Sequence, residues 1–200
     1  MERMMNSPQE VERLQREYPV TTYMDRVLSR RRGRYLEPVR GLLARGLVRL
    51  LDPARVRARV GLFFVEKRGK SQSRLIIDAR ASNQFFRPPP TVRLISSEGL
   101  SRLEAGGASD VCRVVLGTAD IKDAFHRFKI DDAYAAFFAL PDVTFAEMRL
   151  EGSGSVAPCF GALPMGHSWS LYFCQTTGEH IMSQVPSLAR SLRMMDSAPL

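Results

Sequence analysis

The stretch from Val60 to Arg80, VGLFFVEKRGKSQSRLIIDAR, restricts the fold of this chain more than any other. Two apolar runs, GLFFV and RLIID, flank a polar segment that contains Gly69. This pattern predicts a β-hairpin with a loop longer than two residues. The segment FFRPPPTVRL follows, and its three prolines exclude a helix and a central strand.

Helices are expected before the hairpin. Ser7 is followed by Pro8 and, three residues on, by Glu10, a pattern typical of a helix start with Ser7 as the N-cap. The stretch from Tyr35 to Leu51 has Leu and Val at helical spacing, which predicts a second helix that its two glycines weaken.

The segment after the hairpin mixes short strands and helices. Helices are predicted over Ser96–Glu104 and in HSWSLYFCQTTGEHIMSQV, and a turn or short helix in KDAFHRFKI. Strands are predicted in VCRVVLGTAD, AAFFALP and FAEMRLE, with a linker at Gly152–Gly154. Because strands and helices do not alternate strictly, we expect an α+β fold rather than a doubly wound sheet.

Positive charge is concentrated near the start of the chain. The net charge is +8, and residues 1–60 contain 14 Arg against 7 acidic residues. An Arg-rich arm favours a polyanionic partner through phosphate neutralisation and counterion release. A solvated helix face is the alternative interpretation, and composition does not choose between the two.

Several classes of protein and site are not indicated. No apolar run approaches the length of about 18 residues that a membrane span needs, and none resembles a secretory leader. The three cysteines (Cys112, Cys159, Cys174) form no CxxC pair, which argues against a disulfide framework and a zinc site. That spacing fits a reducing compartment.

Two carboxylates follow an apolar run in LGTADIKDAFHRFKI, at Asp120 and Asp123. A carboxylate at the end of a buried strand can project into a cleft and hold Mg²⁺, which prefers oxygen ligands and substrate phosphates. Two-metal phosphoryl transfer needs further carboxylates from another segment. The alternative is that Asp120 or Asp123, with Asp123 favoured, caps a helix beginning at Ala124.

Two other segments are weak signals when taken singly. The hairpin tip groups Lys67, Arg68, Lys70 and Arg74, which could meet a triphosphate or could simply be solvated. In ALPMGHSWSLYFCQ, Gly166 permits a close backbone approach of a ligand, although the segment is equally typical of an ordinary loop entering a helix.

In this order and spacing, the three segments resemble the reverse transcriptase family. FFVEKRGKSQSRLIIDARASNQFF is similar to the fingers hairpin with its R-L-I-x-D-x-R-x-x-N pattern. Residues 116–130 resemble motif A, D-x-x-D-A-F-H, and residues 162–175 resemble motif B, L-P-x-G followed by a helix. The resemblance covers about residues 36 to 185. It implies a basic helical N-terminal arm (1–55) and a fingers and partial palm region (56–200) with an incomplete antiparallel palm sheet.

The resemblance also implies roles for individual residues. Asp120 would be the catalytic carboxylate and metal ligand, with the Ile121 backbone carbonyl as a second ligand of Mg²⁺. Phe125 would exclude a 2′-hydroxyl and so select dNTP over rNTP. Asp78, Arg80 and Asn83 would brace the fingers strand. The nucleotide-binding positions implied are Lys67 (with Lys70 competing), Arg74, Asp123, Ala124, Phe125, Met165 and Gly166.

The sequence departs from the family in one important respect. The aromatic-x-Asp-Asp hairpin of motif C, which brings the remaining metal-binding carboxylates, is absent, and the lone Asp196 in RMMDSAPL does not replace it. Met165 stands where retroviral enzymes carry Gln. With one of two carboxylate sources missing, two metal ions cannot be held and the transferring phosphoryl group loses electrostatic stabilisation.

The resemblance therefore implies a truncated or decayed retroelement reverse transcriptase that does not polymerise DNA as it stands and that would act inside the cell, in the cytoplasm or the nucleus. Its implied partners are a primer–template nucleic acid and dNTP, with no membrane, and no residue is assigned to nucleic-acid binding. A non-catalytic nucleic-acid-binding protein, or a structural protein that keeps only the fold, is the alternative.

Overall fold

The computed structural model describes residues 1–66, 69, 73–92, 94–101 and 120–187. The chain divides into two compact units. Unit 1 comprises Met1–Pro89 and Asp123–Ser170, and unit 2 comprises Pro90–Lys122 and Leu171–Leu200. The described residues form a mixed α+β structure with small antiparallel sheets, which confirms the predicted fold class at that level.

The described part of the chain is rich in short elements. Its helices are α1 (Pro8–Glu17), α2 (Arg26–Arg30), α3 (Arg32–Ala44), α4 (Arg80–Asn83), α5 (Ser97–Ser101), α6 (Ala124–Arg127), α7 (Asp132–Ala135), α8 (Phe145–Met148) and α9 (Ser170–Ser183). Its strands are β1 (Val48–Leu51), β2 (Gly61–Glu66), β3 (Ser73–Asp78), β4 (Val143–Thr144) and β5 (Ser155–Phe160). Single 3₁₀ turns lie at Glu2–Met4 and Pro53–Arg55.

Two antiparallel sheets organise unit 1. β2 and β3 form the predicted hairpin, in register from Gly61 opposite Asp78 to Glu66 opposite Ser73. A second sheet has the strand order β1-β5-β4, in which β5 takes the centre. The largest fully buried side chains include Leu62 and Phe138, which lie in the core of this unit.

The first helix begins as the sequence predicts. The Ser7 hydroxyl accepts a hydrogen bond from the Glu10 backbone N–H, and Pro8 occupies the first helical position. This satisfies one of the amide groups that a helix start leaves without an intrahelical partner.

The helix expected from Tyr35 to Leu51 is wrong in its second half. α3 ends at Ala44, and Gly46 takes a left-handed backbone with φ of 65°. A glycine adopts that conformation at little steric cost, so it ends the helix and turns the chain. The residues that follow form β1, which pairs with β5 and adds to the three-stranded sheet.

The strand predicted in FAEMRLE is wrong, and the strand predicted in AAFFALP is reduced to isolated β-bridges from Ala139 to Arg59 and Cys159. Asp131 caps α7 by accepting a hydrogen bond from the Tyr134 backbone N–H, and the aromatic residues after it lie in a buried turn. In the second segment, Thr144 and Glu147 form a capping box that starts α8. Local capping therefore decides both segments, although their apolar content resembles that of strands.

Arginines of residues 1–60 form ion pairs with the second segment of unit 1, Asp123–Ser170. Arg32 pairs with Glu147 at 2.6 Å, Arg49 with Asp132 at 2.9 Å and Arg59 with Asp142 at 2.9 Å. Among the residues that the structure describes, no helix is long and apolar enough to cross a bilayer. The strand predicted in VCRVVLGTAD lies almost wholly outside the described residues.

Candidate functional site

The segment LPMGHS is fixed by one side chain from a distant part of unit 1. Asn83, the last residue of α4, donates from Nδ2 to the Gly166 carbonyl at 3.1 Å. Its Oδ1 accepts from the Ser168 backbone N–H at 3.0 Å. The amide is thus oriented by a carbonyl on one side and an N–H on the other. We call the arrangement of Asn83, Gly166, His167, Ser168 and Tyr134 the Asn83 clasp.

His167 extends the clasp into the core. Its Nδ1 lies 3.0 Å from Asn83 Oδ1, and its Nε2 lies 2.6 Å from the Tyr134 hydroxyl. Because Oδ1 can only accept, Nδ1 carries the proton and donates. Nε2 then accepts from the Tyr134 O–H, which makes the imidazole a neutral, single tautomer.

Burial keeps this histidine uncharged. Only 3% of His167 is exposed, and its ring packs against Phe86 at 4.7 Å and Phe138 at 5.0 Å between centroids. Desolvation lowers the pKa of His167 from 6.5 to about 4, because the imidazolium would be buried among aromatic rings. The same effect raises the pKa of Tyr134, so its hydroxyl remains a hydrogen-bond donor.

Gly166 is required by close backbone packing. A Cβ built at this position would lie 2.3 Å from the carbonyl oxygen of Ile77 in β3. No side chain fits at that distance. The close backbone approach at Gly166 is made by strand β3 of the hairpin β2–β3, whereas the approach of a ligand stays a prediction. Met165, the preceding residue, is 54% exposed.

The hairpin end next to the clasp is held by a buried carboxylate. Asp78 accepts hydrogen bonds from the Tyr23 backbone N–H at 2.8 Å and from Arg80 Nε at 2.8 Å. The Arg80 guanidinium, together with the two backbone donors, lowers the pKa of Asp78 to about 2. These contacts agree with the bracing role expected for Asp78, Arg80 and Asn83.

The acidic segment is arranged differently. Asp123 occupies the N-cap position of α6, as the capping alternative requires, but its side chain makes no capping hydrogen bond. Its backbone is left-handed, with φ of 55° and ψ of 38°, a region that costs a non-glycine residue about 1 kcal/mol or more. Phe125 lies in α6 and is partly buried.

Asp120 and Ile121 belong to unit 2 and are exposed, Ile121 by 59%. Within the described residues, no hydrogen bond or ion pair involves the Asp120 carboxylate. That part of the chain also contains no group of three or more His, Cys, Asp or Glu side chains arranged to hold a metal. One carboxylate and a backbone carbonyl do not complete a two-ion ligand set, so we derive no step through Mg²⁺.

The hairpin contributes one described candidate. Arg74 lies on β3 opposite Val65 and is exposed, and within the described residues no ion pair involves it. Lys67, Arg68 and Lys70 lie outside the described residues. The predicted nucleotide-binding roles of Arg74, Ala124, Phe125 and Met165 therefore remain predictions.

Few features of the sequence indicate the clasp. Its three histidines form no ligand motif, which favours structural roles, and His167 indeed has one. The role of Tyr134 as a hydrogen-bond partner of His167 was not predictable, because the segment that contains Tyr134 resembles a strand. The only available signal was that a polar residue, His167, directly follows a glycine turn in an apolar context.

Comparison with known proteins identifies no relative. No protein-family model matches the chain. No curated protein matches it either.

Proposed function

We propose that this chain is the fingers and partial palm portion of a retroelement reverse transcriptase. The ancestral reaction is template-directed addition of dNTP to a primer 3′-OH. One observation carries the proposal: the Asn83 clasp joins the R-L-I-x-D-x-R-x-x-N segment to the L-P-x-G segment. These segments, 83 residues apart, are two of the three on which the resemblance rests, and a chance match would not require them to pack together.

The backbone of the acidic segment also supports the proposal. Asp123 is held in a left-handed conformation without a capping bond. Strained backbone of this kind is concentrated at functional sites, and it motivates a functional hypothesis here. In the proposal, Asp120 is the metal-binding carboxylate, Phe125 excludes a 2′-hydroxyl, and Arg74 binds the triphosphate.

These 200 residues are expected to be inactive in polymerisation, because their sequence contains no aromatic-x-Asp-Asp segment. A non-catalytic nucleic-acid-binding role is the second candidate, and a specific observation favours it. Arg26, Arg30 and Arg31 are exposed within and beside α2, and among the described residues no ion pair involves them. By contrast, Arg13 pairs with Glu10 and Glu17 on α1.

Nucleic-acid binding is tested by measuring affinity for a primer–template duplex as a function of salt. A plot of log K against log salt is expected to have a negative slope, because each neutralised phosphate contributes about −0.9. Arg26→Ala combined with Arg30→Ala should reduce the slope by about 2 units. Arg13→Ala combined with Arg16→Ala is the matched control. Because those guanidiniums lie beside glutamates, their removal should change the salt slope little. A flat slope for the unaltered chain would refute nucleic-acid binding.

Catalysis is tested by primer extension with Mg²⁺ and dNTP. We expect no incorporation above background from the 200-residue chain. Incorporation that Asp120→Asn abolishes would contradict the expected inactivity and would assign the chemistry to Asp120.

A further inference from the structure

Unit 1 contains a groove whose lining includes none of the residues proposed to bind the nucleotide. It is bounded by α2, α3 and the hairpin β2–β3, and its volume is about 610 Å³. We call it the α3 groove. We propose that the α3 groove binds an acidic amphipathic helix of a partner protein. This proposal is independent of polymerase ancestry and of nucleic-acid binding.

The floor of the groove is apolar. Phe64 and Leu75 lie directly opposite each other in the hairpin, so their side chains share one face. The next pair on that face, Leu62 and Ile77, is buried, whereas Phe64 is 41% exposed. Leu28 and Leu42 continue the floor from α2 and α3. The hairpin face therefore extends from the core into an uncovered apolar strip.

The edge of the groove is cationic. Arg31, Arg34 and Arg45 line it, and all three are exposed. Two acidic residues also line it, but both have neighbours that reduce their effect. The Asp25 carboxylate accepts the Val27 backbone N–H at 2.7 Å, and Glu37 lies 3.7 Å from Arg34. The groove thus presents apolar surface bordered by excess guanidinium charge.

This combination favours a helix over a nucleic acid. Helices that bind in grooves insert apolar residues at i, i+3, i+4 and i+7, and acidic flanks would meet the arginines. Single-stranded nucleic acids instead bind on several aromatic side chains along a basic track. Phe64 is the one aromatic residue among those that line the groove.

The test uses the full 200-residue chain and a fluorescent synthetic peptide. The peptide has about 16 residues, with leucines at i, i+3, i+4 and i+7 and glutamates on both flanks. A second peptide carries lysines in place of the glutamates, and a thymidine oligonucleotide is the third probe. Arg34→Glu combined with Arg45→Glu reverses the edge charge. Arg26→Glu combined with Arg30→Glu makes the same charge change outside the groove.

We expect the glutamate peptide to bind and the lysine peptide to bind at least about tenfold more weakly. Arg34→Glu combined with Arg45→Glu should lower the affinity for the glutamate peptide about tenfold. Arg26→Glu combined with Arg30→Glu should lower it less than about threefold. Phe64→Asn keeps every arginine and should lower the affinity for the glutamate peptide about fivefold or more. Circular dichroism of each variant checks that it is folded.

Three results would overturn the proposal. The first is failure of the glutamate peptide to bind at about 1 mM, or equal binding of the lysine peptide. The second is oligonucleotide binding that Arg34→Glu with Arg45→Glu abolishes, which would assign the groove to nucleic acid. The third is self-association of the chain that Phe64→Asn abolishes, which would assign the groove to a second copy.

Discussion

The Asn83 clasp and the segment Asp120–Phe125 differ in how their polar groups are satisfied. In the clasp, Asn83 makes three hydrogen bonds and His167 is bonded at both ring nitrogens. In the acidic segment, Asp123 is left-handed and makes no capping bond. Both segments carry the resemblance noted from the sequence, yet among the described residues side-chain hydrogen bonds hold the clasp and none involves the Asp123 carboxylate.

This difference distinguishes two reasons why a residue can match a sequence pattern: a requirement of folding and a role in chemistry. Gly166 and Asn83 are explained by backbone packing and hydrogen bonding, whatever the protein does. Within the described residues, no side-chain hydrogen bond or ion pair involves Asp120 or Asp123, and the proposed function assigns them to chemistry. If this comparison is correct, substitutions in the clasp destabilise the protein, and substitutions in the acidic segment do not.

The largest effect is expected for Gly166→Ala. The new methyl group would lie 2.3 Å from the Ile77 carbonyl oxygen, so β3 or the turn must move. We expect a loss of about 3 kcal/mol in the free energy of unfolding, measured by urea denaturation. Gly33→Ala is the matched control, because a Cβ there meets nothing within 4 Å, and it should be neutral or slightly stabilising. Equal stability of the two variants would show that the turn adapts freely.

Asn83→Ala is expected to cost about 2–3 kcal/mol. The change removes three hydrogen bonds and leaves the buried Nδ1–H of His167 without its acceptor. Thermal or urea unfolding measures the loss. Gln184→Ala, at an exposed position, should stay within about 0.5 kcal/mol. A comparably small loss for Asn83→Ala would mean that the clasp does not hold the turn.

Acid should weaken the clasp through His167. Its pKa is about 4 in the folded protein against 6.5 unperturbed, so the unfolded chain binds the proton more tightly. The contribution of His167 to the free energy of unfolding is fully present above pH 6.5 and is lost as the pH falls towards 4. The loss reaches about 2 kcal/mol at pH 5. His167→Gln should remove that part of the pH dependence. An identical pH profile for the variant between pH 7 and 5 would contradict the buried neutral imidazole.

Asp123→Gly should have a small effect of the opposite sign. Glycine adopts φ of 55° without the steric cost that aspartate bears, and no capping bond is lost. We expect a gain of up to about 1 kcal/mol, reduced by the greater flexibility of glycine in the unfolded chain. A loss above about 1 kcal/mol would reveal a folding role for the Asp123 carboxylate.

Much of the fold was predictable where local signals agree. The Ser7 cap and the hairpin β2–β3 follow from nearby residues alone. The strand β1 was missed because its leucines continue the helical spacing of α3, and only Gly46 marks the change. α8 was missed because its apolar residues outweighed the Thr144–Glu147 capping box.

Little of the Asn83 clasp was predictable from the sequence, either as residues or as an arrangement. The family resemblance identified Asn83 and Gly166, but their direct contact joins positions far apart in the chain. The Tyr134–His167 bond could not be inferred either, since it depends on how α7 packs against the turn. Long-range packing determines these pairs, and a single sequence does not record it.

The most direct test of this account is the stability of Asp120→Asn at neutral pH. The substitution keeps the shape of the side chain and removes its charge. If Asp120 serves chemistry rather than folding, the free energy of unfolding of the Asp120→Asn variant should stay within about 0.5 kcal/mol of the value for the unaltered protein. A loss of about 2 kcal/mol, comparable to that expected for Asn83→Ala, would show that Asp120 has a folding role and would contradict the account.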